Sequence, residues 1–254
     1  MTANLSRRAA LFRAAAVAAG AAVGSQLLAT PGYAAGAAPA PAPTPVPSSE
    51  AVRRAVEEAR EREAKVLTGI PSKNGWEMEK ATDARGSVYT RPVPGTPLDV
   101  KVRMGEVETV LVHVVRRFHY EVDALRSGDV VGWRAPDAVG RRLAESNQAS
   151  GTAVQIRPGS YPTGVRGGFF PLEELTIRDI LADCEGVVRW GGDDRTPDES
   201  LFSIDVPPGD PRLAAVAAKL RAWELTPGEG PGVIVDSLRP ERRKDARKLA
   251  AQQA

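Results

Sequence analysis

The sequence predicts an α+β fold, a small mixed or antiparallel sheet flanked by helices. Val107, Val110, Leu111, Val114, Val115, Phe118, Val122 and Leu125 recur with a 3.6-residue period, which predicts one long amphipathic helix. Short β-type runs occur at residues 130–134, 153–157, 187–190 and 201–206. Helical and strand-like segments mix without regular βαβ alternation, and no internal repeat is present.

Taken in order, residues 35–48 form an alanine/proline linker, a composition that favours extended chain. Ser48 or Ser49 caps a charged helix over residues 49–67, with Glu50 in its first turn. Its apolar stripe is only Val52, Val56 and Ala59, too short for a coiled coil, so a solvated stalk or a loosely lying helix is expected. A globular domain is expected over residues 68–225, entered near Gly69-Ile70-Pro71. Residues 86–104 read as short strands broken by Pro92, Pro94 and Pro97. After the long helix and two strands, Pro171, Glu173, Glu174 and Gly186 frame a second helix. Asp210-Pro211 opens a third, running through Leu213, Val216, Leu220 and Trp223. Residues 226–254 read as a Gly/Pro linker and a basic tail; from Arg239 to Lys248 it holds six basic and two acidic residues. A frayed, solvated helix is expected there, with contact to an anionic wall polymer as the alternative.

Composition limits the function classes. The chain has 254 residues, 42% hydrophobic and 26% charged, as ordinary soluble domains do. A net charge of +2 makes no case for nucleic acid. The single cysteine, Cys184, excludes an intrachain disulfide and sits in an apolar helical context that suits a buried structural thiol.

Residues 1–34 have the form of an export signal: Arg7 and Arg8, an apolar run from Ala14 to Ala29, and Gly32-Tyr33-Ala34 as a small-residue cleavage site. The paired arginines resemble the twin-arginine signal. A secreted or cell-wall protein with no stable membrane span after cleavage is expected. An uncleaved anchor is disfavoured, because the run is rich in alanine and glycine and shorter than the ~20 residues that span a bilayer.

The chemistry-bearing constellation lies in two segments. Ser146-Asn147-Gln148-Ala149-Ser150-Gly151-Thr152-Ala153-Val154-Gln155 and Asp198-Glu199-Ser200-Leu201-Phe202-Ser203 keep spacings of seven (Gln148 to Gln155) and three (Asp198 to Leu201) residues. They resemble the two metal motifs, Ser-x-His-x-x-Gly-x-Ala-x-Asp and Asp/Glu-x-x-His-Phe-Glu, of the D-alanyl-D-alanine carboxypeptidase family of zinc peptidases, which includes the vancomycin-resistance type. Arg116 to Val122, Ile180 to Asp193 and Thr196 to Glu199 extend the resemblance to roughly residues 67–223. It implies a D-Ala-D-Ala carboxypeptidase-like fold in which Gln148, Gln155 and Leu201 stand where the family has its ligands. A catalytic zinc needs three such donors and an open fourth position. The family uses zinc; here no metal is expected, and Asp198 becomes a vestigial general base. The resemblance also makes Arg134 a clamp for a peptide carboxylate, with Ser146, Trp190 and Gly191 beside it; a surface arginine on a strand end is an equal reading of Arg134.

His113 and His119 do not rebuild a site. They stand six residues apart on one helix, about 600° of rotation, and read as half-buried helix residues. Even were His119 to reach the cleft, one histidine does not make a metal site. The expected function is a secreted, catalytically inactive carboxypeptidase-like protein that binds peptidoglycan stem peptides. Two alternatives stay open: a peptidoglycan peptidase with an atypical site, or a structural or interaction protein of the cell envelope.

Overall fold

The computed structural model describes residues 48–233 and 235–253. The expected signal peptide and nearly all of the alanine/proline linker lie outside the described residues. The chain divides into two units, residues 1–61 and 62–254.

Helix α1 (Ser49–Val66) begins in the first unit. Ser48 Oγ accepts a bond from Ala51 N at 3.1 Å, which satisfies one of the amide donors orphaned at a helix start. The exposed Arg54–Glu50 pair, one turn apart at 3.4 Å, contributes no more than roughly 0.5 kcal/mol. From Ser49 to Glu61 only Val56 is even half-buried, so this stretch is a solvated helix, as its composition suggests.

The second unit opens with an antiparallel ribbon, β1 (Leu67–Pro71) with β2 (Glu77–Glu79). A hairpin follows, β3 (Val88–Pro92) with β4 (Asp99–Arg103), in register from Val88 opposite Arg103 to Pro92 opposite Asp99. Then come α2 (Glu106–Glu121), β5 (Val130–Val131), the short α3 (Ser146–Ala149), β6 (Ala153–Ile156) and α4 (Pro171–Asp183). The chain continues through β7 (Val188–Trp190), a 3₁₀ turn (Gly191–Asp193), β8 (Leu201–Ile204), α5 (Pro211–Leu225) and α6 (Pro240–Gln253). β5, β6, β8 and β7 form one antiparallel sheet in that order. The fold is α+β, small antiparallel sheets flanked by helices.

Side-chain alternation gives the sheet two faces. Val154, Ile156, Val188, Trp190, Phe202 and Ile204 join the core with α2, α4 and α5. The apolar stripe of α2 is fully buried in it, and Phe118 meets Phe169 and Phe202 edge-on at 6.0 and 6.3 Å. Gln155, Leu201, Ala153 and Ser203 stand on the opposite face, paired across β6 and β8.

Four expectations need correction. α2 stops at Glu121, four residues short of Leu125; His119 Nδ1 accepts from Leu125 N at 2.9 Å, so that histidine closes the helix end. β5 stops at Val131 because the chain turns to β4: Trp133 N donates to Lys101 O at 2.8 Å. Gly132 permits this approach, since a Cβ there would sit 2.2 Å from the Lys101 carbonyl oxygen. His113 is 4% exposed rather than half-buried; its Nε2 lies 3.8 Å from Asp183, beyond hydrogen-bond reach. Burial outweighs that carboxylate and lowers its pKa.

The fourth correction concerns the tail, which is neither frayed nor apart from the domain. Ala246 is buried, Leu249 packs on the core, and Gln253 Nε2 donates to Val188 O at 2.9 Å. Arg242 grips α4, reaching the two Asp179 oxygens at 2.6 and 2.7 Å and Asp183 Oδ1 at 3.0 Å. From the other side the buried Arg117 bonds Asp179 at 2.9 Å and Asp183 at 2.7 Å, and also pairs with Glu121. Burial alone would lower the pKa of Arg117, but these three carboxylates reverse that and raise it. Cys184, beside them, is fully buried, which pushes its thiol up to about 12. It is a packing residue.

Candidate functional site

The two motif segments meet at one end of the four-stranded sheet. Gln155, on β6, lies directly opposite Leu201 on β8 and opposite Val131 on β5. Gln148, on α3, sends its amide nitrogen to the carbonyls of Val131 and Gly132 at 3.1 and 3.0 Å. The three positions thus occupy adjoining elements, and each has a structural occupation. Gln148 is wholly buried; its nitrogen closes the strand end that β5 leaves open, while its oxygen has no partner among the described residues. Leu201 is 2% exposed and packs beside Gly191.

Asp198 is the centre of this arrangement. Gln155 Nε2 donates to its Oδ2 at 2.9 Å and Thr163 Oγ1 to the same oxygen at 3.2 Å. Its Oδ1 accepts the Ser200 amide at 3.1 Å and the Ser200 hydroxyl. Both carboxylate oxygens are therefore held, in a residue only 8% exposed. A general base needs a lone pair aimed at a reacting proton. Here four internal donors occupy the carboxylate, which makes it an anchor for the β8 turn. The pattern Asp-x-Ser, whose side chain binds the amide two residues on, is a turn signal readable in sequence. Thr163, on a distant loop, carries no such signal.

The residues expected to line a peptide site are mostly engaged elsewhere. Ser146 is buried; its Oγ accepts from Lys73 N at 2.9 Å and donates to Leu143 O at 2.7 Å. With Asn147 and Thr152, which bond Asn74 at 3.0 and 2.8 Å, it latches the β1–β2 turn against the sheet. Trp190 is a core residue, 3% exposed, whose indole donates to Glu199 O at 2.8 Å. Gly191 is buried: its carbonyl accepts the Asp198 amide at 2.9 Å, and a Cβ would lie 2.6 Å from Asp198 O. Ser146 and Trp190 are buried, Gly191 is buried beside them, and the polar atoms named for all three bond within the protein. Arg134 alone is half-exposed, and its guanidinium bonds Glu145 Oε2 at 3.3 Å and Ala138 O at 2.6 Å.

Glu199 was not singled out by its type. It accepts the amides of Gly167 and Gly168 at 2.7 and 2.8 Å and so pins the loop that leads to α4. Arg166 on that loop reaches the carbonyls of Gly192 and Asp194, tying it to the 3₁₀ turn.

The donor set does not fit zinc. Gln148 and Gln155 point amide nitrogens at acceptors, and Leu201 has no donor atom. Among the described residues no group of three or more His, Cys, Asp or Glu side chains converges as a metal site. No helix among them is long and apolar enough to cross a membrane. Comparison with protein-family models, with curated proteins and with solved structures finds no match for this chain.

Proposed function

We propose that this chain is an exported, catalytically silent protein of the D-Ala-D-Ala carboxypeptidase type. Its remaining task is to hold a peptide's terminal carboxylate, as on a cell-wall stem peptide, at Arg134. The observation that carries the silence is the fourfold occupation of Asp198, with Gln155 as one of the donors. A carboxylate held this way has no free oxygen to take a proton. The observation that supports a retained clamp is the half-exposed guanidinium of Arg134, whose carboxylate partner, Glu145, sits in the same loop. Guanidinium pairs carboxylates through two parallel bonds, so a peptide carboxylate competes with Glu145 for it. Export rests on Arg7, Arg8 and Gly32-Tyr33-Ala34.

The test combines metal analysis, a D-alanine release assay and calorimetry with a peptide ending in D-Ala-D-Ala. No stoichiometric zinc, no release and weak binding are expected. Arg134→Ala should weaken that binding about tenfold to a hundredfold, the worth of a charge-assisted contact. Glu145→Gln, which frees the guanidinium, should tighten it. Near-unit zinc or chelator-sensitive cleavage overturns the silent reading. Binding that ignores both substitutions favours a structural envelope protein, a reading already supported by the internal partners of Arg134.

A further inference from the structure

A groove of about 340 Å³ runs between α4 and α6, on elements outside the β6–β8 site. Its floor is apolar, formed by Phe169, Leu175, Ala246 and Ala250. Its rim carries three arginines, Arg178, Arg243 and Arg247, and one acid, Glu174, and so is net positive. Of the three rim arginines, Arg178 is committed: it pairs with Asp193 and Glu174 and lies 4.7 Å from the Trp190 ring centroid. Arg243 and Arg247 are exposed, and no carboxylate pairs with either among the described residues. They stand four residues apart on α6, where like charges on one helix face repel. The Nε of Arg247 donates to the Arg243 carbonyl at 3.1 Å, which leaves its remaining donors open.

We infer that this groove binds a small amphipathic carboxylate, an acyl or aryl body with one anionic head. The apolar floor takes the body, and the head sits between Arg243 and Arg247, relieving their repulsion. Charge complementarity sets the sign of the ligand. The floor excludes a bare phosphate, which would gain nothing from Phe169 and Leu175. The volume lies at the low end for small-molecule sites, which limits the body to a short chain or a ring. This site is independent of the function proposed for Arg134.

The probe is decanoate, titrated below its micelle concentration into the full chain and followed by calorimetry and by amide chemical shifts. Saturable binding with shifts confined to α4, α6 and the Phe169 loop is expected. Decan-1-ol and decyltrimethylammonium should bind at least about tenfold more weakly, because the charge-assisted contacts to the head are lost. The pair Arg243→Gln and Arg247→Gln should weaken decanoate by about tenfold or more without lowering the melting temperature, since both residues are exposed and their mutual repulsion is removed. Ala250→Trp should block the floor. Absence of saturable binding overturns the inference. So does equal affinity for the alcohol, indifference to the paired arginine substitutions, or association with anionic vesicles that decanoate does not compete.

Discussion

Arg242→Ala tests the idea that a charge clasp, more than apolar packing, seats α6. The guanidinium supplies two bonds to Asp179 and one to Asp183, and its side chain is 28% exposed against 2% and 12% for the acids. Breaking a fully buried pair costs about 3–5 kcal/mol. Two features reduce that here: solvent reaches Arg242, and Arg117 still holds both acids. The expected loss is about 1.5–3 kcal/mol, the range for hydrogen bonds to charged groups. In a domain of this size it lowers the melting temperature by roughly 4–10 °C. The pH dependence has a definite sign. Burial pushes the Asp183 carboxyl up, but His113, Arg117 and Arg242 outweigh it and hold it below the ordinary 3.8. That contribution is present above pH 3.8 and fades as pH falls through the folded value. Removing Arg242 removes part of it, so wild type and variant should differ most near neutrality and converge in acid. Urea denaturation across pH, with hydrogen exchange along α6, measures both effects. A loss below about 0.5 kcal/mol, the ordinary scatter of surface substitutions, with α6 exchange unchanged would refute the clasp.

Two other perturbations follow from the same geometry. His113 is buried with a depressed pKa, so its unfolded form takes up a proton first and stability should fall as pH drops below 6.5. The slope is at most about 1.4 kcal/mol per pH unit and should flatten in His113→Gln; a wild-type profile with no such slope would count against a neutral His113. Gly191→Ala places a Cβ 2.6 Å from Asp198 O, and should destabilise by about 1–3 kcal/mol while loosening the Asp198 anchor, seen as faster amide exchange at Ser200.

Helices α1, α2, α4 and α5 were legible because each writes its own period or caps into its own residues; the one-turn α3, Ser146–Ala149, writes neither and was not foreseen. α2 shows its stripe directly, and Asp210 caps α5 by accepting Arg212 N at 2.9 Å, as Asp210-Pro211 implies. What eluded sequence reasoning depends on pairs far apart in the chain. β5 is cut short by Lys101, and α6 looks solvated because its counter-charges lie on α4. The motif segments were legible as spacings, and they lie on adjoining elements, Gln148 on α3 and Gln155 and Leu201 on neighbouring strands. Their chemistry was not: nothing in Ser146 or Trp190 announces that Lys73 and Glu199 absorb their polar atoms. Asp198 stands between, since Ser200 was readable beside it and Thr163 was not.

The clasp on α4 also has an order in time. Translation delivers Asp179 well before Arg242, which follows 63 residues later. Until then Arg117 faces Glu121, Asp179 and Asp183 alone, one cation against three carboxylates. Without α6 the acidic pocket is under-neutralised and the Leu249 contact with the core is missing. Helix α6 therefore acts as a latch on α4: a chain in which it has not yet docked should be looser around Asp179 and Asp183, measurable as faster amide exchange along α4.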